Sequence, residues 1–236
     1  IIVNDGSIVS ASWSRILRQA EKYNEVVIIH HERNRGKGVA LKTAFSHILN
    51  DKPDICNIVT ADADGQHTAI DIVSVVKSAM VDPTKLILGV RAFGTDIPFR
   101  SKFGNQLTKK VFSLFTGCKV SDTQTGLRAF NRRLLPEFIA TKGDRYEYEM
   151  NMLVQHVKRG AQINEVKIET IYIDDNDSSH FNPLVDSARI YLVFLRYLGV
   201  SITSFFIDIL IFFLMINLGL GILSSTYFAR FISAFF

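Results

Sequence analysis

Cysteine is scarce in this sequence: Cys56 and Cys118 are the only two in 236 residues. They form neither a C-x-x-C pair nor a zinc-ligand pattern. That leaves no disulfide framework or structural zinc to hold the fold, and it fits a reduced, cytosolic compartment. Cys56, at the start of an apolar run, is expected to be a small core residue. Internal repeats and low-complexity tracts are absent. So are the spacings G-x-x-x-x-G-K-[ST] and G-x-G-x-x-G, and neither a P-loop ATPase nor a dinucleotide-dependent dehydrogenase is supported. The net charge of +4 is modest, and no nucleic acid partner is expected. There is no signal peptide at residue 1. The chain opens without Met on "IIVNDGS", already inside an expected strand, so a fragment lacking an earlier strand is expected.

Long apolar runs are missing from the first two thirds, which read as an ordinary globular domain. The 47% hydrophobic content is concentrated near the end. Leu198–Leu218, "LGVSITSFFIDILIFFLMINL", is about one bilayer width as a helix and carries a single charge, Asp208. A charge in lipid is costly, so Asp208 is expected to face a further helix missing from the chain. Arg189 and Arg196 precede the span among aromatic residues and favour a cytosolic interface.

Between residues 1 and 90 short apolar runs alternate with helical spacings. Strands are expected at Ile1–Asn4, "EVVIIHH", "CNIVTAD" and "KLILGV", and helices at Ser10–Tyr23, Gly38–Leu49 and "AIDIVSVVKSAM", the last capped by Thr68. The order β-α-β-α-β implies an α/β fold with a mostly parallel sheet and helices on both faces. Ligands of such sheets sit at the carboxyl ends of the strands. Asp5, Asp62, Asp64 and Arg91 fall at or just past strand ends and should share one edge. Beyond Arg91, "GCKVSDTQTGLRAF" reads as a turn, a short strand and a loop, followed by helices near Arg132–Ala140 and Glu147–Lys158 and a strand in "QINEVKIETIYI".

The stretch "TADADGQH", Thr60 to His67, leaves a strand on two carboxylates that repel each other. In extended backbone Asp62, Asp64 and Gln66 point to one side, and Gly65 permits a sharp turn. Hard oxygen ligands on one edge suit Mg²⁺ or Mn²⁺. An Asp-rich turn that caps the next helix is the alternative. "NRGKG", Asn34–Gly38, places glycines and Lys37 at a helix start, where backbone can approach a phosphate.

"IIVNDGS", "NRGKGVALKTAF", "DADGQH", "GVR", "DTQTGLRAF" and "YEYEMNML" occur in an order that resembles glycosyltransferase family 2, in its polyprenyl-phosphate (dolichyl- and undecaprenyl-phosphate) hexosyltransferase branch. The resemblance covers about residues 1–180, and the tail from Arg189 resembles the start of a GtrA-type membrane domain. It implies a GT-A (Rossmann-like) catalytic domain over residues 1–183 with its N-terminal strand missing, then an interface helix and the start of a transmembrane domain over 184–236. The implied reaction is metal-dependent, inverting transfer of a hexose from a nucleotide sugar to polyprenyl phosphate. The enzyme would be multi-pass in the membrane, with the catalytic domain cytosolic and a route to homo-oligomers through the membrane segment. By resemblance Asp5 and Lys37 would serve the donor, with Asp5 at its nucleobase or ribose. Asp62 would contact the ribose or diphosphate, and Asp64 and Gln66 would bind Mg²⁺ or Mn²⁺. Arg91 would face phosphate oxygens, Arg100 and Lys102 would receive the lipid phosphate, and Asp122 and Gln124 would shape the acceptor side. Ser178, Ser179 and His180 fall where an acceptor loop is expected.

Two other functions compete. A family member acting on a polysaccharide or other hydroxyl acceptor needs a general base, for which Glu147 and Glu149 are candidates, at least one of them expected to be structural. An inactive transferase domain within a membrane transport or scaffold module would bind metal and nucleotide without turnover.

Overall fold

A computed structural model describes residues 1–7, 11–91, 99–169 and 185–234. The chain forms two compact units, Ile1–Ile190 and Tyr191–Phe236. In chain order the first unit runs β1 (Ile2–Asn4), α1 (Ala11–Ala20), β2 (Ile28–His30), α2 (Lys37–Asp51), β3 (Asn57–Thr60), α3 (Ala69–Val81), β4 (Leu86–Arg91), α4 (Phe99–Thr116), β5 (Arg128–Asn131), a 3₁₀ turn, α5 (Leu135–Ala140), α6 (Glu147–Lys158) and β6 (Ile163–Ile168). α7 (Val185–Asn217) begins within it and leads to α8 (Ile222–Ser233).

Strand pairing corrects the mostly parallel sheet. β1 and β2 form a parallel pair of their own, while the other strands lie in the spatial order β3-β5-β4-β6. β5 is antiparallel to both β3 and β4, and β4 and β6 are parallel. The sheet is therefore mixed. The missed strand is "RAFN", assigned in part to a loop and in part near a helix because four residues are too few for a period to emerge. The short strand expected nearer Cys118 is not there. Since β3 and β4 both oppose β5, they run the same way, and their carboxyl ends share an edge as expected.

Alternation along β5 explains the two-sided core. Ala129 faces Val75 and Ala79 of α3, in a cluster with Ile87, Leu127 and Ile168. Phe130, one residue on, points the other way. It meets Phe45 of α2 and Phe138 of α5 edge to face, with ring centroids 5.4 and 4.8 Å apart. Thr68 caps α3 as its sequence predicts, accepting the Asp71 N–H at 3.0 Å while its hydroxyl donates to the Asp71 carboxylate at 2.7 Å. Arg132 is structural: its guanidinium donates to the carbonyls of Ile48 and Leu49 at the end of α2 and of Lys52, the residue that caps it.

Between β1 and β3 lies a cavity of about 360 Å³, walled by Ile2, Val3, Phe45, Ile58 and Val59 among others. Each of these strands uses one edge, β1 toward β2 and β3 toward β5. Among the described residues no strand pairs with the other edge of either.

Cys56 is exposed and not a core residue, because it precedes β3 in a loop. In the second unit Gly199–Asn217, mean hydropathy 2.3, is long and apolar enough to cross a membrane. Asp208 does not need a helix from outside the chain: Ser233 of α8 donates to it at 3.2 Å, and Arg230 Nε lies 3.6 Å away. The side chains of Arg100, Lys102, Arg189 and Arg196 lie outside the described set, as do residues 92–98 and 170–184 with Ser178, Ser179 and His180.

Candidate active site

The carboxyl end of β1 delivers Asp5, whose side chain is fully engaged. Oδ1 accepts His31 Nδ1–H at 2.6 Å and the Arg35 N–H at 3.0 Å, and Oδ2 accepts the Gly36 N–H at 2.7 Å. Asp5 thus ties β1 to the loop that starts α2. Burial alone would push its pKa up, but the His31 bond and the two backbone N–H groups outweigh that and hold it below the ordinary carboxylate value. With the folded value below the unfolded 3.8, the stability Asp5 contributes is fully present above that pH and is lost as pH falls through the lower folded value. Asp5→Asn is therefore expected to unfold at lower urea than wild type at pH 7, with the gap closing in acid. An equal gap at both pH values would refute this account.

The glycines of "NRGKG" serve packing rather than an open phosphate cradle. Gly36 has φ 103°, and a Cβ there would lie 2.3 Å from the Asp144 carbonyl oxygen. The Val39 N–H donates to that same oxygen at 3.1 Å. The first turn of α2 is thereby seated on the loop before α6.

This seating carries Lys37 into the site. Its ammonium lies 2.7 Å from Asp62 Oδ1 and 2.9 Å from Glu149 Oε2, with the Tyr146 ring centroid at 5.9 Å. Burial would lower the Lys37 pKa, yet Glu149 and Asp62 together hold it above the ordinary lysine value. Burial would likewise raise Asp62, and Lys37 outweighs it, holding Asp62 low. Gly126 lets backbone press on Asp62, since a Cβ there would meet Asp62 Oδ2 at 2.3 Å.

Beneath this group Arg128 is wholly buried. Nε donates to the Thr125 carbonyl at 2.9 Å and Nη1 to that of Glu149 at 2.7 Å. Burial pushes its pKa down, opposed by Glu149, Asp62 and Asp122. Arg91, the last residue of β4, donates from Nε to buried Asp122 at 2.8 Å, and Asp122 also accepts the Gln124 N–H at 3.0 Å.

Asp62, expected to face one cation together with Asp64 and Gln66, is paired in this structure with Lys37. Asp64 is exposed and accepts the Gln66 N–H at 3.0 Å in a tight Asx turn, with Gly65 at φ 79°. Its exposed carboxylate is a hard oxygen donor of the kind that suits Mg²⁺ or Mn²⁺, although no group of three or more His, Cys, Asp or Glu is placed to hold a metal among the described residues. Asp122 is a buried partner of Arg91 rather than an open acceptor group, and Gln124 is exposed beside it. Glu147 holds backbone, accepting the N–H groups of Asp144 and Arg145.

Sequence reasoning missed Glu149, Arg128 and His31 as members of this network. A signal existed for Glu149: it stands between Tyr148 and Met150, both buried, and a buried carboxylate requires a cation. The partner, Lys37, lies 112 residues earlier in the chain, and nothing in a single sequence joins them.

Comparison with known proteins places this arrangement. The model of Glycosyl transferase family 2 matches residues 1–138. An uncharacterised protein of Methanocaldococcus jannaschii is 34% identical over 179 residues, which is 74% of this chain and 70% of that protein. The UDP-N-acetylglucosamine–dolichyl-phosphate N-acetylglucosaminyltransferase of Methanococcus voltae is 30% identical over 219 residues, 84% of this chain and 85% of its own. The dolichyl-phosphate beta-glucosyltransferase of Saccharomyces cerevisiae is 28% identical over 198 residues, 74% of this chain and 57% of its own. Among solved structures, glucosyl-3-phosphoglycerate synthase from Mycobacterium tuberculosis with UDP has a TM-score of 0.57 at 17% identity, covering 84% of this chain and 68% of that one. A second, with Mn²⁺, UDP-glucose and phosphoglyceric acid, has a TM-score of 0.57 at 16% identity, covering 84% and 67%. These likenesses show a GT-A-like α/β fold with a mixed sheet, and the sequence matches go further: the chain belongs to glycosyltransferase family 2.

Proposed function

We propose that this glycosyltransferase moves a hexose, with inversion, from a nucleotide sugar to polyprenyl phosphate at the cytosolic face of a membrane, and that it requires Mg²⁺ or Mn²⁺. The observation that carries the acceptor is that neither candidate base is open to a substrate hydroxyl. Glu149 is paired with Lys37 through Oε2, and Glu147 accepts two backbone N–H groups at Oε1 while its Oε2, without a hydrogen-bond partner, is buried. A sugar hydroxyl would need one of them free to take a proton. A lipid phosphate is already an anion and attacks the anomeric carbon without one. The dolichyl-phosphate transferases among the relatives support the same acceptor.

Bringing an anion to an anionic donor needs positive charge at the strand edge. Asp64, with Gln66, would hold the divalent ion, which when bound neutralises the diphosphate as it departs. The Mn²⁺ complexes of the synthase from M. tuberculosis support that reading. Arg91 stands at the end of β4, anchored through Nε on Asp122, where its guanidinium can meet phosphate oxygens. Asp5 fixes the β1–α2 junction, where the nucleoside would rest. Arg100, Lys102, Gln124, Ser178, Ser179 and His180 are assigned to the acceptor side. Residues 184–236 would supply the interface helix and the start of a GtrA-type membrane domain, and the slot between β1 and β3 would take one further strand, joining the two sheets.

Membranes carrying the full chain, given radiolabelled nucleotide sugars and polyprenyl phosphate, are expected to yield an organic-soluble labelled lipid. The free polyprenol, with a hydroxyl in place of the phosphate, is expected to yield none. Equal transfer to the polyprenol would overturn the phosphate-acceptor reading.

A further inference from the structure

Lys37 has two carboxylate partners where one would satisfy its charge. Asp62 belongs to the turn that carries Asp64, two residues on. Glu149 belongs to α6, is more deeply buried than Asp62, and has its own carbonyl anchored by Arg128. The ammonium lies between them at 2.7 and 2.9 Å. Counting charges, Lys37 and Arg128 balance Asp62 and Glu149, and Asp64 stands outside the balance as an exposed anion.

A divalent ion arriving at Asp64 upsets this arrangement. It would add two positive charges two residues along the chain from Asp62, whose Oδ1 already holds the Lys37 ammonium. Like charges repel, and an ammonium driven off a lone carboxylate would be left buried without a partner, which is costly. Glu149 removes that cost, because Lys37 already touches it.

We infer that Lys37 is a tethered cation that occupies Asp62 until a divalent ion binds, and that Glu149 is the seat to which it then withdraws. The inference rests on the proposal that Asp64 holds the metal. Lys37 and the ion compete for Asp62, while Glu149 favours the ion by accepting Lys37. Glu149 is thus a positioning residue that acts through Lys37.

The two side chains have opposite predicted effects, which a purely structural role would not produce. Removing the tethered cation in Lys37→Met frees Asp62 and is expected to tighten Mn²⁺ binding. Removing the charge of the second seat in Glu149→Gln leaves Lys37 dependent on Asp62 and is expected to weaken it. Glu149→Gln keeps the backbone carbonyl that Arg128 uses and a side-chain oxygen that can still accept from Lys37. Each change is expected to be about tenfold, within the range measured for groups coupled in one ion-pair network.

The measurement is Mn²⁺ affinity of the full chain in detergent, by electron paramagnetic resonance of free Mn²⁺, with no donor sugar or acceptor present. Asp64→Asn is the control for the site. If wild type binds Mn²⁺ and Asp64→Asn does not, the metal reading stands. The inference is then overturned if Lys37→Met binds no more tightly, or, should that variant fail to fold, if Glu149→Gln binds as wild type does. If Asp64→Asn binds like wild type, or wild type and Lys37→Met both bind no Mn²⁺, the metal reading fails and takes this inference with it. Binding by Lys37→Met alone supports the inference in its strongest form.

Discussion

Asp64→Ala is expected to abolish sugar transfer while leaving the fold almost untouched. The two halves of that expectation have separate causes. Asp64 is exposed, and the bond it supplies is to the Gln66 N–H within a local turn. Losing one such bond in water costs about 0.5–1.5 kcal/mol. In the transition state the departing diphosphate gathers negative charge, which a carboxylate cannot offset and a cation can. A divalent ion held at Asp64 is worth several kcal/mol there, so its loss corresponds to about a thousandfold or more in rate. Excess EDTA should reproduce the defect in wild type, and added Mg²⁺ or Mn²⁺ should reverse it there but not in the variant. Initial rates and thermal midpoints of both proteins are the measurements. Undiminished transfer in chelator, or an active Asp64→Ala, would sink the metal assignment.

The largest expected effect on stability falls on Arg128, a residue with no exposed surface to suggest a role in binding. Its guanidinium supplies hydrogen bonds to the carbonyls of Thr125 and Glu149 and faces the carboxylates of Asp62, Glu149 and Asp122. Arg128→Met keeps much of the volume but strands those carbonyls and leaves the buried carboxylates with Lys37 and Arg91 as compensation. Breaking a buried charge network in this way costs about 3–5 kcal/mol. Lysine should not rescue it, because one ammonium lacks the planar fork that reaches two separated carbonyls. Urea unfolding of the detergent-solubilised chain, followed by the fluorescence of Trp13, the only tryptophan, reads the difference. A midpoint indistinguishable from wild type would show that the network is not what holds β5 to α6.

The elements with a clear local signal were legible. Thr68 announces α3, the apolar runs announce β3 and β4, and "LGVSITSFFIDILIFFLMINL" announces the apolar part of α7. The shared edge of Asp62, Asp64 and Arg91 followed from strand ends alone. What stayed hidden depends on pairings across long separations. The direction of β5 is decided by where a four-residue strand is inserted, not by its residues. The repulsion within "DAD" was visible, but that a side chain from α2 supplies a cation at Asp62 was not. Asp5 looked free to meet a nucleoside, and its bonds to His31, Arg35 and Gly36 show that it first organises the loop before α2. Glu149 was weighed as a base or a structural acid, and its pairing with Lys37 is a property of the folded chain alone.

The position of β5 also bears on how the molecule comes into being at the ribosome. β3 ends at Thr60 and β4 at Arg91, yet the strand that lies between them finishes only at Asn131. During synthesis β3 therefore waits some 70 residues for its ladder partner, and β4 waits further still for β6, at Ile163–Ile168. Long loops must close before any of these contacts form, which slows folding and keeps apolar strand edges open in the meantime. α3 can form early and shelter the face bearing Val59 and Ile87, because it is contiguous with both strands. The nascent chain is thus most exposed to aggregation and to chaperones between the emergence of residue 60 and that of residue 131, and substitutions that delay β5 should reduce yield before they reduce activity.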